Sequence, residues 1–207
     1  MRQHVNPLAA ALQRATPAPC WSEVYRDPSL PLHIDIGCAH GRFAAQLAER
    51  NESINVLGLE IRAACLEPDA SAPLPWNNLH LIACNAATSL GAGLLDDYPG
   101  PVAVALVLHP DPWWKKKHHK RRLLTPSFVR TLSQMVVPSG ARLLLQTDVE
   151  PLLEVMRDAL LQEGGWWVSA GTATAGEYYS APTARETYVT EQGKGVFGEL
   201  FIRTKFP

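Results

Sequence analysis

Residues 109–122 read HPDPWWKKKHHKRR, an acid between two prolines, then two tryptophans and a dense run of cations. Pro110 and Pro112 fix the backbone on both sides of Asp111 and remove two N–H groups, so its carboxylate is held rigidly. Lys115, Lys116, Lys117, Lys120, Arg121 and Arg122 place six of the nineteen Lys and Arg residues in eight positions. Such a cluster suits a phosphate backbone, and Trp113 or Trp114 offers a flat surface for an unstacked base. A rigid acid, two tryptophans and a basic run in one turn weigh function above a plain solvated turn. His118 and His119 raise a metal site with His109 and Asp111. Neighbouring histidines rarely aim at one ion, so no metal is expected.

Further chemistry stands at the ends of apolar runs. Asp35-Ile36-Gly37-Cys38-Ala39-His40-Gly41 closes the first of them. Gly37 and Gly41 permit a tight turn and a close backbone approach, and the helix start that follows offers free N–H groups. The spacing is GxxxG, not the GxGxxG of a dinucleotide site, and an acid two residues before the first glycine would repel a pyrophosphate. It suits a cation, and S-adenosylmethionine carries an ammonium and a sulfonium. Glu60, closing the second run, can accept the two ribose hydroxyls of a nucleoside. Asn85, followed by Ala86 after the third, is placed to pair with an adenine edge. Each of these residues also has an ordinary alternative as a turn or surface residue.

These residues need a scaffold that brings strand ends together. Strands are expected at 32–37, 55–60, 79–84, 102–108 and 141–147, with two more at 166–170 and 199–204. The middle runs are apolar without alternation, as in strands covered on both faces. RFAAQLAER and TPSFVRTLSQMV read as helices, the second with Thr125 as N-cap and Pro126 in the first turn. DVEPLLEVMRDALLQEGG reads as a third, from an Asp148 cap to a glycine stop. EPDASAPLP reads as a break. Residues 171–187 show no helical pattern, so the last two strands are expected to form an antiparallel edge hairpin. The predicted fold is α/β, a mostly parallel seven-stranded, doubly wound sheet. Ligands of such sheets bind outside the carboxyl ends of the strands, where strand order reverses.

The chain has 207 residues, 46% hydrophobic and 19% charged, enough for one domain with a sizeable core. The division expected is a partly ordered N-terminal extension over 1–30 and a single domain over 31–207. Net charge is −1, so any attraction for nucleic acid must come from one face. No apolar run approaches the roughly 18 residues of a membrane helix. Cys20, Cys38, Cys65 and Cys84 lie far apart without a CxxC pair, which reads as buried free thiols in a reducing compartment. A cytoplasmic protein is expected, or an organellar one if Arg2, Arg14 and the acid-poor start form a transit peptide.

From about Leu32 to Phe206 the sequence resembles the bacterial-type tRNA (guanine-N7-)-methyltransferases, which modify the variable-loop guanine at tRNA position 46. PDPWWKKKHHKRR is close to the family's PDPW-x-K-x-x-H-x-KRR pattern, Thr147-Asp148 matches its TD motif, and Pro182-Thr183-Ala184-Arg185-Glu186 is similar to its PT-x-x-E motif. The resemblance implies a Rossmann-like class I S-adenosylmethionine-dependent methyltransferase. It implies cofactor contacts from Asp35, Gly37, Gly41, Glu60, Asn85, Ala86 and Asp111, with Asp111 also in the catalytic position. It implies guanosine or nearby RNA at Lys115, Asp148, Thr183 and Glu186, and tRNA backbone at Lys116, Lys117, Lys120, Arg121 and Arg122. The tryptophan and KRR resemble the bacterial branch, which implies a monomer or homodimer without an obligate protein partner. Ala39 departs from a usual glycine, Asn85 from a common aspartate, and His109 from a usual phenylalanine.

Guanine N7 carries a lone pair and no proton, so methylation there needs no general base and positioning should dominate. Asp111 is expected to accept from guanine N1–H and N2–H₂. Asp148 is the second candidate for that edge, against a plain N-cap role. Thr183 and Glu186 likewise have capping-box spacing. Two other readings stay open on the residues alone: a nicotinamide-dependent oxidoreductase, and a tRNA-binding protein inactivated by the Ala39 and Asn85 changes.

Overall fold

A computed structural model describes residues 5–66, 76–136 and 140–204. Five strands, β1 (Leu32–Ile36), β2 (Asn55–Glu60), β3 (Leu79–Ala83), β4 (Val102–Leu108) and β5 (Arg142–Thr147), run parallel. Two more, β6 (Trp167–Thr172) and β7 (Phe197–Arg203), complete a seven-stranded sheet in the order β3-β2-β1-β4-β5-β7-β6. β7 is antiparallel to both β5 and β6, so an antiparallel pair closes one edge. Strand order reverses between β1 and β4.

Burial explains why the middle runs lack alternation. All six residues of β2 are buried, and successive residues of β5 enter opposite layers. Leu143 and Leu145 pack with helices α5 (Pro126–Met135) and α6 (Glu150–Leu161), while Leu144 packs with α2 (Arg42–Arg50) through Phe43, Ala44, Leu47 and Ala48. Thr125 caps α5 as expected, its hydroxyl accepting from Phe128 N at 3.3 Å. The N-cap of α6 is Val149, so Asp148 is not the cap that its sequence position suggested. The EPDASAPLP break, residues 67–75, lies outside the described residues.

Two expectations are corrected. The 171–187 connection contains α7 (Ala175–Tyr179) and the start of α8 (Ala184–Glu191). Both are short and opened by capping boxes, Thr174 with Glu177 and Thr183 with Glu186. Local hydrogen bonds rather than an apolar stripe hold them, so hydrophobic periodicity was silent. The core also reaches back before residue 31. Trp21, in α1 (Trp21–Val24), is buried, and Tyr25 is 2% exposed. They pack in an aromatic cluster with Tyr98, and the Tyr25 hydroxyl donates to Val56 O at 3.0 Å. Cys38, Cys65 and Cys84 are buried free thiols, whereas Cys20 is exposed.

Candidate active site

The carboxyl ends of β1 to β5 open onto one cleft of about 1190 Å³, lined by Asp35, Glu60, Asn85, Asp111 and Asp148 among others. Drug-sized ligands occupy roughly 300–1,000 Å³, so a nucleoside cofactor and a base beside it both have room. Asp35 and Glu60 stand on β1 and β2, and Asn85, Asp111 and Asp148 follow β3, β4 and β5, so the five share no local sequence. The parallel sheet brings them together.

Asp35 forms the floor. It is 3% exposed, and burial first, then the nearby Glu60 charge, push its pKa up to about 7 from 3.8. A carboxyl in that state gains from a cation laid against it. The β1–α2 turn above it is bent by Gly37 and Gly41, at φ +89° and +69°. A side chain on Gly37 would meet nothing within 4 Å, so the cleft is open there, whereas one on Gly41 would strike Leu81. Ala39, also in the cleft wall, has φ +50°. The usual glycine of the resemblance would adopt that conformation without strain.

Glu60 is buried and already engaged. One oxygen accepts from Ala39 N at 2.9 Å, the other from Arg62 N and Nε, each at 2.9 Å. A carboxylate has about four acceptor sites, which leaves capacity for a ribose hydroxyl. The Glu60 hydrogen bond, and further the charges of Glu60, Cys65 and Asp111, raise the Arg62 pKa despite its partial burial. Ala86, next to Asn85, begins helix α4 (Ala86–Gly91) and lines the cleft.

Asn85 has another occupation than expected. Its amide donates to Pro7 O at 3.0 Å and Leu12 O at 3.1 Å, while Thr16 N donates to Ser89 Oγ at 3.1 Å. Residues 5–16 therefore lie as a strap along this end of the cleft, and Val5, Pro7, Leu8 and Gln13 form part of its wall. The Asn85 donors hold the strap instead of facing an adenine edge. Nothing in the sequence signalled this segment, because its backbone carbonyls do the binding.

At the other end the basic segment divides. Lys116 to Arg121 form a 3₁₀ helix. Lys120, Arg121 and Arg122 line the cleft, whereas Lys115, Lys116 and Lys117 are exposed and outside its wall. Lys115, which the resemblance assigned to the guanosine or nearby RNA, thus does not form part of this wall. The Arg121 guanidinium lies 5.1 Å from the Trp113 ring centre, and its Nε is buried with no hydrogen-bond partner among the described residues. Arg122 Nε donates to Pro112 O at 3.1 Å, tying the basic segment to the Asp111 turn. Of the two tryptophans, Trp113 lines the cleft at φ +44°, and Trp114 is 57% exposed outside it. His118 packs edge-on against Trp113, and His119 Nε2 lies 3.3 Å from Trp114 O.

Asp148 stands at the cleft between two partners. His109 Nδ1 lies 3.2 Å from one oxygen, and Arg185 holds the other. Burial opposes its ionisation, but the hydrogen bonds from Arg185 and His109 outweigh that and hold its carboxyl below the usual range. Thr183 lines the cleft, but Glu186 is 8% exposed and outside the wall. Its oxygens accept from Gly176 N, Thr183 N and Gln146 Nε2. Glu186 thus serves the fold, and the capping box is its structural role. The charged neighbour that sequence reasoning passed over is Arg185, inside the same motif.

Residues 29–198 match a family model described as a putative methyltransferase. The chain is 37% identical to the tRNA (guanine-N(7)-)-methyltransferase of Thermosynechococcus vestitus, over 98% of this chain and 94% of the relative. It is 34% identical to that of Synechocystis sp., over 99% and 97%. Among solved structures it is similar to the 16S rRNA methyltransferase KamB, with a TM-score of 0.62 at 15% identity over 94% of this chain and 98% of that one. It is also similar to a 16S rRNA (adenine(1408)-N(1))-methyltransferase from Catenulisporales acidiphilia solved with its cosubstrate SAM. That match has a TM-score of 0.55 at 18% identity, over 94% and 96%. At such identities the likeness concerns the fold, which is that of the class I methyltransferases.

Proposed function

The chain belongs to the tRNA (guanine-N(7)-)-methyltransferase family, and we propose that its cleft methylates N7 of guanine 46 in the variable loop of tRNA. The carrying observation is convergence: Asp35 and Asp111 flank the point where strand order reverses, and Arg121 and Arg122 line the same cleft.

The donor set fits S-adenosylmethionine. Asp35 would hold its cationic amino-acid end, Glu60 a ribose hydroxyl, and the open space at Gly37 lets the backbone approach. Ala86 and the strap would flank the adenine. When bound, the cofactor supplies a sulfonium methyl that passes to the N7 lone pair with one positive charge, so no proton need be removed.

The chain's own work is therefore to place a base and balance a charge. Asp111, fixed by its two prolines, would accept from guanine N1–H and N2–H₂ and steady the purine as it becomes cationic. Asp148 would share that edge, with Thr183 beside it. Trp113 would form a wall for the base, and Arg121, whose buried Nε needs an acceptor, would meet the phosphate of the target nucleotide. Lys116, Lys117 and Lys120 would draw in the tRNA backbone. No helix among the described residues is long and apolar enough to cross a membrane, and the proposed setting is the cytoplasm, with tRNA as partner and no obligate protein partner.

The test is transfer of labelled methyl to unmodified tRNA, followed by nuclease digestion and nucleoside mass analysis. The expected product is 7-methylguanosine from position 46. Tight binding of a nicotinamide dinucleotide without methyl transfer would end this reading.

A further inference from the structure

His109 is the residue for which the sequence offered no role, and its surroundings are specific. It follows β4 in a left-handed conformation, φ +51°, while its N–H still donates to Gln146 O at 2.7 Å. That bend turns the ring into the cleft wall between β5 and α8. There Nε2 lies 2.9 Å from Gln146 Nε2 and Nδ1 lies 3.2 Å from Asp148.

The neighbours decide where the ring proton sits. Gln146 Oε1 accepts from Ala175 N at 2.5 Å, and Gln146 Nε2 also donates to Glu186 at 3.2 Å. The Gln146 amide is thus oriented, and its nitrogen can only donate. His109 Nε2 must accept, so the neutral ring carries its proton on Nδ1 and gives it to Asp148. Burial lowers the His109 pKa; Asp148 opposes that shift and Arg185 adds to it. The ring therefore stays neutral at neutral pH, in the form this arrangement needs.

We propose that His109 is a positioning residue, using its Nδ1–H and the orientation imposed by Gln146 to aim the Asp148 carboxylate at the base end of the cleft. It works against Arg185, which holds the opposite oxygen, so the carboxylate is clamped from two elements. A phenylalanine at this position could fill the space but could not donate. The proposal rests on the reading that Asp148 holds the guanosine.

Two substitutions separate the ring's two nitrogens. His109→Asn keeps an N–H near Nδ1, whereas His109→Gln keeps an acceptor near Nε2 and lacks the donor to Asp148. Steady-state methylation should show KM for tRNA raised about tenfold in His109→Gln, the scale of a hydrogen bond to a charged group, and within about twofold of wild type in His109→Asn. S-adenosylhomocysteine affinity should be unchanged in both. In an Asp148→Asn background, His109→Gln should add nothing further. Equal rises in both His109 variants, a parallel loss of S-adenosylhomocysteine affinity, or full additivity with Asp148→Asn would each overturn the proposal. If Asp148→Asn itself leaves KM unchanged, the guanosine reading of Asp148 fails first and takes this one with it.

Discussion

At the scale of single residues, the site combines charge with strain. Asp35 illustrates the first. Its folded pKa of about 7 stands above the ordinary 3.8, so the ligand-free fold holds an extra proton between those values. Stability from that proton is complete below about pH 4 and is lost as pH rises through 7. A cationic ligand prefers the ionised form, so the sign for binding is opposite. Calorimetry with S-adenosylhomocysteine, whose ammonium remains, should show weaker binding as pH falls below 7, with proton release in buffers near 7. A flat profile from pH 6 to 8 would separate Asp35 from the ligand. Ala39 illustrates strain. Its φ of +50° costs an L-residue roughly 1–2 kcal/mol, partly offset in glycine by unfolded-chain entropy. Ala39→Gly should therefore raise stability by up to about 1 kcal/mol, read as a higher urea midpoint, and Ala39→Val should lower it.

At the scale of elements, the basic segment and the strap have separable jobs. Lys116, Lys117 and Lys120 are exposed, whereas Arg121 and Arg122 are tied to Trp113 and Pro112. Replacing the three lysines with glutamine should weaken tRNA binding and reduce the salt slope of log K by about 2, near −0.7 to −0.9 per lost contact. Turnover at saturating tRNA should hold. Arg121→Gln should lower turnover as well, because it removes the cation from the Trp113 wall. The strap is hydrogen-bonded to Asn85, which precedes α4, and to Ser89 within it. Deleting residues 1–16 should raise the S-adenosylhomocysteine Kd several-fold, because Val5, Pro7, Leu8 and Gln13 wall the cleft. It should also lower the melting temperature by several degrees, since each of the three hydrogen bonds contributes about 1 kcal/mol. An unchanged Kd would make the strap a bystander.

At the scale of the whole molecule, the N-terminal boundary is a question of packing. Trp21 and Tyr25 belong to the same core as Tyr98 and Leu57. Deleting residues 1–30 should remove two buried aromatics, each worth about 3–5 kcal/mol. That is comparable to the total stability of a typical domain, so cooperative unfolding should be lost, in contrast to the shorter deletion. The parallel strands were legible in the sequence because a strand covered on both faces must be apolar along its length, and Asp35, Glu60 and Asp111 were legible because each is an acid at or just past the carboxyl end of such a run. The sequence by itself also determined the rigid Asp111 turn, since proline geometry is local. Helices α7 and α8 were not legible, because capping hydrogen bonds leave little hydrophobic period. Only the tertiary structure decided that Asn85 holds the strap, that Glu186 faces inward while Arg185 reaches Asp148, and that His109 meets Gln146. These partners are separated by tens of residues, and no spacing rule encodes a contact that exists only once the strands have paired.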